Sequence, residues 1–168
     1  MRIAVVHSFY RSTEPSGENA VVLAQVNALR HAGNEAQLVS RSTDDESRSR
    51  FYRLSAAAAA AGVHGPSPKP ELDKFQPEVI HVHNLFPNFG TKWARELSVP
   101  IVWTAHNFRA FCSSGTLFRD GHSCIECLSE GSQQALIHSC YRDSLFATAP
   151  LAWATRGKGR MNAVLDSC

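Results

Sequence analysis

The chain has 168 residues, 43% of them hydrophobic and 19% charged, with a net charge of +2 when the histidines are neutral. That length supports one domain with a full core and is short for two. So small a charge, carried by scattered basic residues with no stripe between aromatics, argues against nucleic acid as a partner.

The N-terminus, MRIAVVHSFY, has an apolar run of only four residues before a histidine, too short for the core of a signal peptide. No stretch approaches the ~20 apolar residues of a membrane span. These features predict a cytoplasmic protein, with peripheral contact at the inner face of a membrane left compatible. In that compartment five cysteines are expected as thiols or metal ligands rather than disulfides.

In chain order, RIAVVH reads as a strand buried on both faces. SGENAVVLAQVNALRHAG reads as a helix, with Val22, Val26 and Leu29 at helical spacing and Gly33 at the C-cap. EAQLVS is a second strand. A polar segment then runs into the alanine tract, a strong helix former that ends at Gly62. VHGPSPKPELDKFQP, with four prolines, is a loop holding at most a short helix. EVIHVH and IVWTAH are two further strands, and GTKWARELSVP between them has about the length of a crossover helix. Periodicity breaks down from Phe108 to Cys140. YRDSLFATAPLAWATRGKG suggests a last helix containing Pro150, and NAVLDSC a final strand.

Strands alternating with helices predict one α/β domain over residues 1–168: a Rossmann-like parallel sheet with helices on both faces and a cysteine-rich insertion over 108–140. In such a sheet the carboxyl ends of all strands share one edge, where open α/β folds bind ligands. His7, His83 and His106 end three different strands, so the same edge should collect three imidazoles. Each alone could be a strand-end histidine satisfied by nearby backbone, and His81, deeper in its strand, reads as structural. The turn EPSGEN brings Gly17 and the start of the first helix to this edge, where backbone N–H groups and the helix dipole favour an anion. The turn is neither a G-x-G-x-x-G nor a P-loop, and the second strand ends in Ser40-Arg41 without an acidic residue for a ribose. A nicotinamide-dependent dehydrogenase is disfavoured.

Cys112, Cys124, Cys127 and Cys140 fall within the insertion and match the ligand count of a tetrahedral structural zinc. The alternatives are four reduced cysteines packed as small apolar residues, or a redox pair at Cys124 and Cys127. Four sulfur ligands would leave no open position for catalysis by the metal. Cys168 is expected to take no part.

SGENAVVLAQVNALRHAGNEAQLVS, PEVIHVHNLFPNFG, VPIVWTAHNFRAFC, LFRDGHSCIECL and CYRDS, in that order, resemble the N-terminal half of family-four glycosyltransferases of the GT-B type. The resemblance implies two Rossmann-like domains with a cleft between them, the first for acceptor and the second for a nucleotide-sugar. This chain corresponds to the first, with the donor-binding domain expected to be absent and the isolated chain inactive. It implies that Gly17 and Glu18 lie by donor phosphates or an acceptor anion. It also implies that His106, as the catalytic-site histidine, reaches the donor sugar, that Asn107 and Arg109 complete its motif, and that His83 and Asn84 line the cleft beside His7. Ser16 departs from the family, in which many members carry a second glycine. The implied chemistry is retaining transfer of a sugar from a nucleotide-sugar co-substrate to a glycan or lipid-linked acceptor, in polysaccharide or glycolipid synthesis. No Asp-x-Asp occurs, so no catalytic divalent metal is expected. A zinc-stapled α/β interaction module without catalysis is the competing reading. A hydrolase or phosphatase built on His106 and Cys112 would need a Gly-x-Ser-x-Gly or Cys-x5-Arg loop, and neither is present.

Overall fold

Strand β1 (Arg2–Phe9) is buried from Ile3 to Ser8, as its unbroken apolar run requires. Its side chains alternate between two cores. Ile3 and Val5 face helix α1 (Gly17–His31), packing with Val22 and Val26, while Ala4 and Val6 join a larger cluster on the opposite face. The structure, a computed structural model, describes residues 1–14 and 16–156.

α1 stops where its sequence predicts. Gly33 takes φ +80°, its N–H reaches Arg30 O at 3.0 Å, and Asn34 N–H reaches Leu29 O at 3.1 Å. These two bonds form a Schellman cap. Strand β2 (Glu35–Ser42) follows, then the short helix α2 (Thr43–Glu46), capped by Ser42 Oγ accepting from Asp44 N–H. The alanine tract forms α3 (Tyr52–Ala60), stopped by a second Schellman cap with Gly62 at φ +71°. The proline-rich segment yields only α4 (Lys69–Phe75), which buries Leu72 and Phe75. Strands β3 (Val79–Val82) and β4 (Ile101–Trp103) complete the main sheet.

The sheet is all-parallel in the order β2-β1-β3-β4. Val39, Val6, Val82 and Trp103 stand in one row across it. α1 covers one face; α4 covers the other together with a 3-10 helix at Lys92–Glu96. The expected Rossmann-like class is therefore observed.

The crossover before β4 was expected as an α-helix and is that single 3-10 helix. Residues 84–91 are already used in packing against β1, and Pro100 leads straight into β4, so little chain is left to wind. The 3-10 helix buries Trp93, whose indole N–H donates to Gly90 O at 2.8 Å.

Residues 108–140 hold a two-stranded hairpin, β5 (Phe118–Arg119) and β6 (His122–Ser123), and two short helices, α5 (Glu126–Ser129) and α6 (Gln133–Ile137). The hairpin turns at Asp120-Gly121 with φ +52° and +82°, the pattern of a type I′ turn. α7 (Leu145–Ala154) contains Pro150 and is capped by Ser144. The expected strand at NAVLDSC, and Cys168 with it, lie outside the described residues. Among the described residues no helix is long and apolar enough to cross a membrane.

One close approach ties α3 to the β3–β4 connection. A Cβ on Gly65 would sit 2.7 Å from Gly90 N and 2.9 Å from Ala59 Cβ. Gly65→Ala should therefore cost roughly 1–3 kcal/mol, the usual range for overpacking. Denaturant unfolding measures this; an unchanged midpoint would contradict the contact.

Candidate functional site

The strand order reverses at β1: the chain steps outward one way to β2 and the other way to β3. A crevice therefore opens beyond the carboxyl ends of β1 and β3. α1 begins beside it, and the residues following β4 wall its far side.

The three expected imidazoles meet there, though not all at the surface. The His83 ring stacks on His106 at 5.0 Å and on His81 at 4.4 Å, with His7 edge-on at 6.2 Å. His7 and His83 were expected on the rim; they are 0% and 3% exposed and lie beneath it. Their flanking strands are covered on both faces, so only the segment after β4, which ends in a loop, carries its histidine outward. His106, Asn107 and Arg109 are partly exposed.

Burial decides the charge of the inner rings. It is the main cause that pushes the His83 pKa down to about 3, with His81, His106 and His7 adding to it. Burial also lowers His7, more than its bond to Asn19 and the nearby Glu18 raise it, and it lowers His81. His83 is thus neutral and has one proton for two contacts. Its Nε2 lies 2.5 Å from Gln25 Oε1 and its Nδ1 2.7 Å from His106 Nε2. With the Gln25 oxygen so placed, His83 Nε2–H donates to Gln25, and Nδ1 accepts from His106 Nε2–H. Gln25 thereby sets which nitrogen of a neutral His106 remains an acceptor. The His81 ring is held by Thr104 Oγ1 at 2.7 Å, consistent with a structural part.

A second network laces the rim. Glu18 accepts from Asn107 Nδ2 at 2.8 Å through one carboxylate oxygen and from Asn84 Nδ2 at 3.2 Å through the other. Asn84 Nδ2 also donates to the Tyr10 hydroxyl at 2.8 Å, and its Oδ1 accepts from Phe86 N–H. Burial, then Glu18, raises the Tyr10 phenol to about 12. Glu18 therefore ties the start of α1 to the loops after β3 and β4. Gly17 next to it is exposed, with no atom within 4 Å of where a Cβ would stand. A side chain at this helix start would therefore meet open space.

Arg109 beside this network is held by two aromatic rings. Its guanidinium lies 4.5 Å over the Phe86 ring and 5.4 Å from Tyr141, and Nη1 donates to Ser113 O at 3.1 Å. The pocket among His83, Asn84, Trp103, His106, Asn107 and Arg109 holds only about 20 Å³, water-sized rather than sugar-sized. The loop Leu85–Gly90 packs inward: Leu85 and Phe89 are buried, and Asn88 N–H donates to Ser8 Oγ.

The four insertion cysteines are free thiols that line one cavity of about 160 Å³. Among the described residues no three His, Cys, Asp or Glu side chains are placed to hold a metal ion in common. The closed tetrathiolate expected from the spacing is thus not formed in these side-chain positions.

Asn19, Gln25 and Tyr10 were not anticipated from sequence. Gln25 carried a signal, being a polar residue one turn after Val22 on the buried stripe of α1. Tyr10 and Asn19 carried none, because their partners lie on other elements.

A parallel α/β domain with a helix start and a partly exposed histidine around its switch-point crevice belongs to the Rossmann-like class. The family model for Glycosyltransferase Family 4 matches residues 15–153. The chain belongs to that family, which makes it a glycosyltransferase domain. No curated protein and no solved structure matches it.

The neutral His83 leads to a measurable expectation. The unfolded chain takes up this proton near pH 6.5 and the folded chain only near 3. Its contribution to stability is therefore complete above pH 6.5 and is lost as pH falls between those values. In the folded protein, imidazole nitrogen shifts of His83 should stay at neutral positions throughout the physiological range. Titration near 6.5 would contradict the buried stack.

Proposed function

We propose that this chain is the acceptor-binding half of a retaining glycosyltransferase, which moves a sugar from a nucleotide-sugar to a glycan or lipid-linked acceptor. The observation that carries the reading is the Glu18–Asn107 hydrogen bond, which fixes the exposed start of α1 beside the His106-Asn107 segment. One rim thus joins an anion-favouring helix terminus to a hydrogen-bonding imidazole.

In this reading the amides around Gly17 face the diphosphate of the donor or an anionic acceptor group. They stabilise the negative charge that builds on the leaving group as the glycosidic bond breaks, without reorganising at that moment. His106, oriented from behind by neutral His83, positions a sugar hydroxyl. It is neither the nucleophile nor a proton carrier in this scheme. In this reading the grip on the nucleotide comes from a second domain across the cleft. The water-sized pocket beneath the rim supports this, because a sugar needs a facing wall to enclose it.

Two variants of the complete enzyme test the reading. His106→Ala should lower kcat/KM on the order of a hundredfold by misplacing the sugar, with thermal unfolding little changed. Gly17→Ala meets open space, so stability should move by no more than about 0.5 kcal/mol while the donor or acceptor KM rises. Wild-type kinetics in both variants would refute the assignment of the rim.

A further inference from the structure

The segment 108–140 has almost no core. Among its apolar side chains only Cys112 and Ala135 are buried, whereas Phe108, Phe111, Phe118, Ile125, Leu128 and Ile137 are each about half exposed or more. Burial of apolar surface does not hold this segment in shape.

Its thiols offer a different means. Cys112, Cys124, Cys127 and Cys140 come from four points of the insertion, and all four line the same cavity. Cys112 Sγ lies 3.1 Å from Ser114 Oγ, and Arg119 lines the same cavity as the four sulfurs. The Asp120-Gly121 hairpin delivers Cys124 to the cavity, with its N–H on Leu117 O at 2.8 Å. Oxygen and nitrogen donors nearby are mostly engaged elsewhere. Glu126 is paired with both Arg119 and His138, and Asp120 with Arg119. That leaves the four sulfurs, with the Asp143 carboxylate also at the cavity wall.

We infer that Cys112, Cys124, Cys127 and Cys140 bind one zinc ion, which staples the insertion. Tetrahedral four-sulfur coordination suits zinc, and Arg119 in the cavity wall offsets part of the negative charge that four thiolates carry. As placed, the sulfurs line the walls and do not meet. Ligation requires them to turn inward to Zn–S bonds of about 2.3 Å, with release of their protons. The staple also bears on the rim. Phe108 and Cys112 are bonded through their backbones, and Arg109 is clasped to Ser113 O, one turn from His106.

The chain purified under reducing conditions should carry about one zinc by elemental analysis. After removal by chelator, titration with cobalt(II) should give the intense visible absorption of tetrahedral thiolate coordination, saturating at about one equivalent. Cys127→Ser should lose that spectrum; where it also loses the wild-type circular dichroism, the wild-type chain itself decides through alkylation. The four cysteines should be protected in the zinc-loaded chain and react after chelation, with Cys168 as the comparison. Iron in place of zinc, a weak octahedral cobalt spectrum, alkylation indifferent to chelator, or disulfides under reducing conditions would each overturn the inference. Because no readout depends on sugar transfer, these results stand apart from the proposed function.

Discussion

Everything at the candidate site hangs on the parallel pairing of β1 with both β2 and β3. β1 pairs with β2 on one side and with β3 on the other, and its middle is wholly enclosed. Its next two strands lie on opposite sides of it, which opens a crevice beyond its carboxyl end. α1 therefore starts beside an opening, and the loops after β3 and β4 close around it. A shift of one residue in that register would exchange Ala4 and Val6 with Ile3 and Val5 between the two cores, and would turn His7 to the other face.

The histidines below the rim owe their chemistry to that enclosure. Desolvation costs the charged form more than the neighbouring carboxylate returns, so the inner rings stay neutral and act as oriented dipoles. A buried neutral imidazole has one donor and one acceptor, and Gln25 fixes their order. The exposed His106 thus inherits an orientation from a residue on α1 that touches no part of the open surface segment. Glu18 does comparable work at the surface, holding Asn84 and Asn107 with separate oxygens. Both devices join α1 to the far wall, so the site depends on how α1 lies against the sheet.

Two different sources of order meet at Asn107. Before it the chain is held by a packed parallel sheet. After it the chain runs into a segment whose aromatic and aliphatic side chains largely face solvent, ordered by turns, by the Arg119–Glu126 pair and by the Cys112–Ser114 side-chain contact. Arg109 bridges the two regimes, its planar cation packed on Phe86 and Tyr141 while it bonds to Ser113 O. The motif arginine beside His106 is thus held by the protein's own rings and backbone.

The sequence by itself determined the local structure and its edge. The buried run of β1, the helical spacing of Val22 and Val26, and the glycines at 33 and 62 acted through contacts a few residues long. They read correctly for that reason. Parallel alternation then placed His7, His83, His106 and Gly17 at one end of the sheet. Only the tertiary structure decided which of these are covered. Exposure depends on what packs from distant parts of the chain: Leu85–Gly90 folds against β1, Gln25 reaches across from α1, and the crossover before β4 shortens to one 3-10 helix. Whether a polar side chain is a ligand contact or its support is set by such long-range neighbours, for which local periodicity carries no signal.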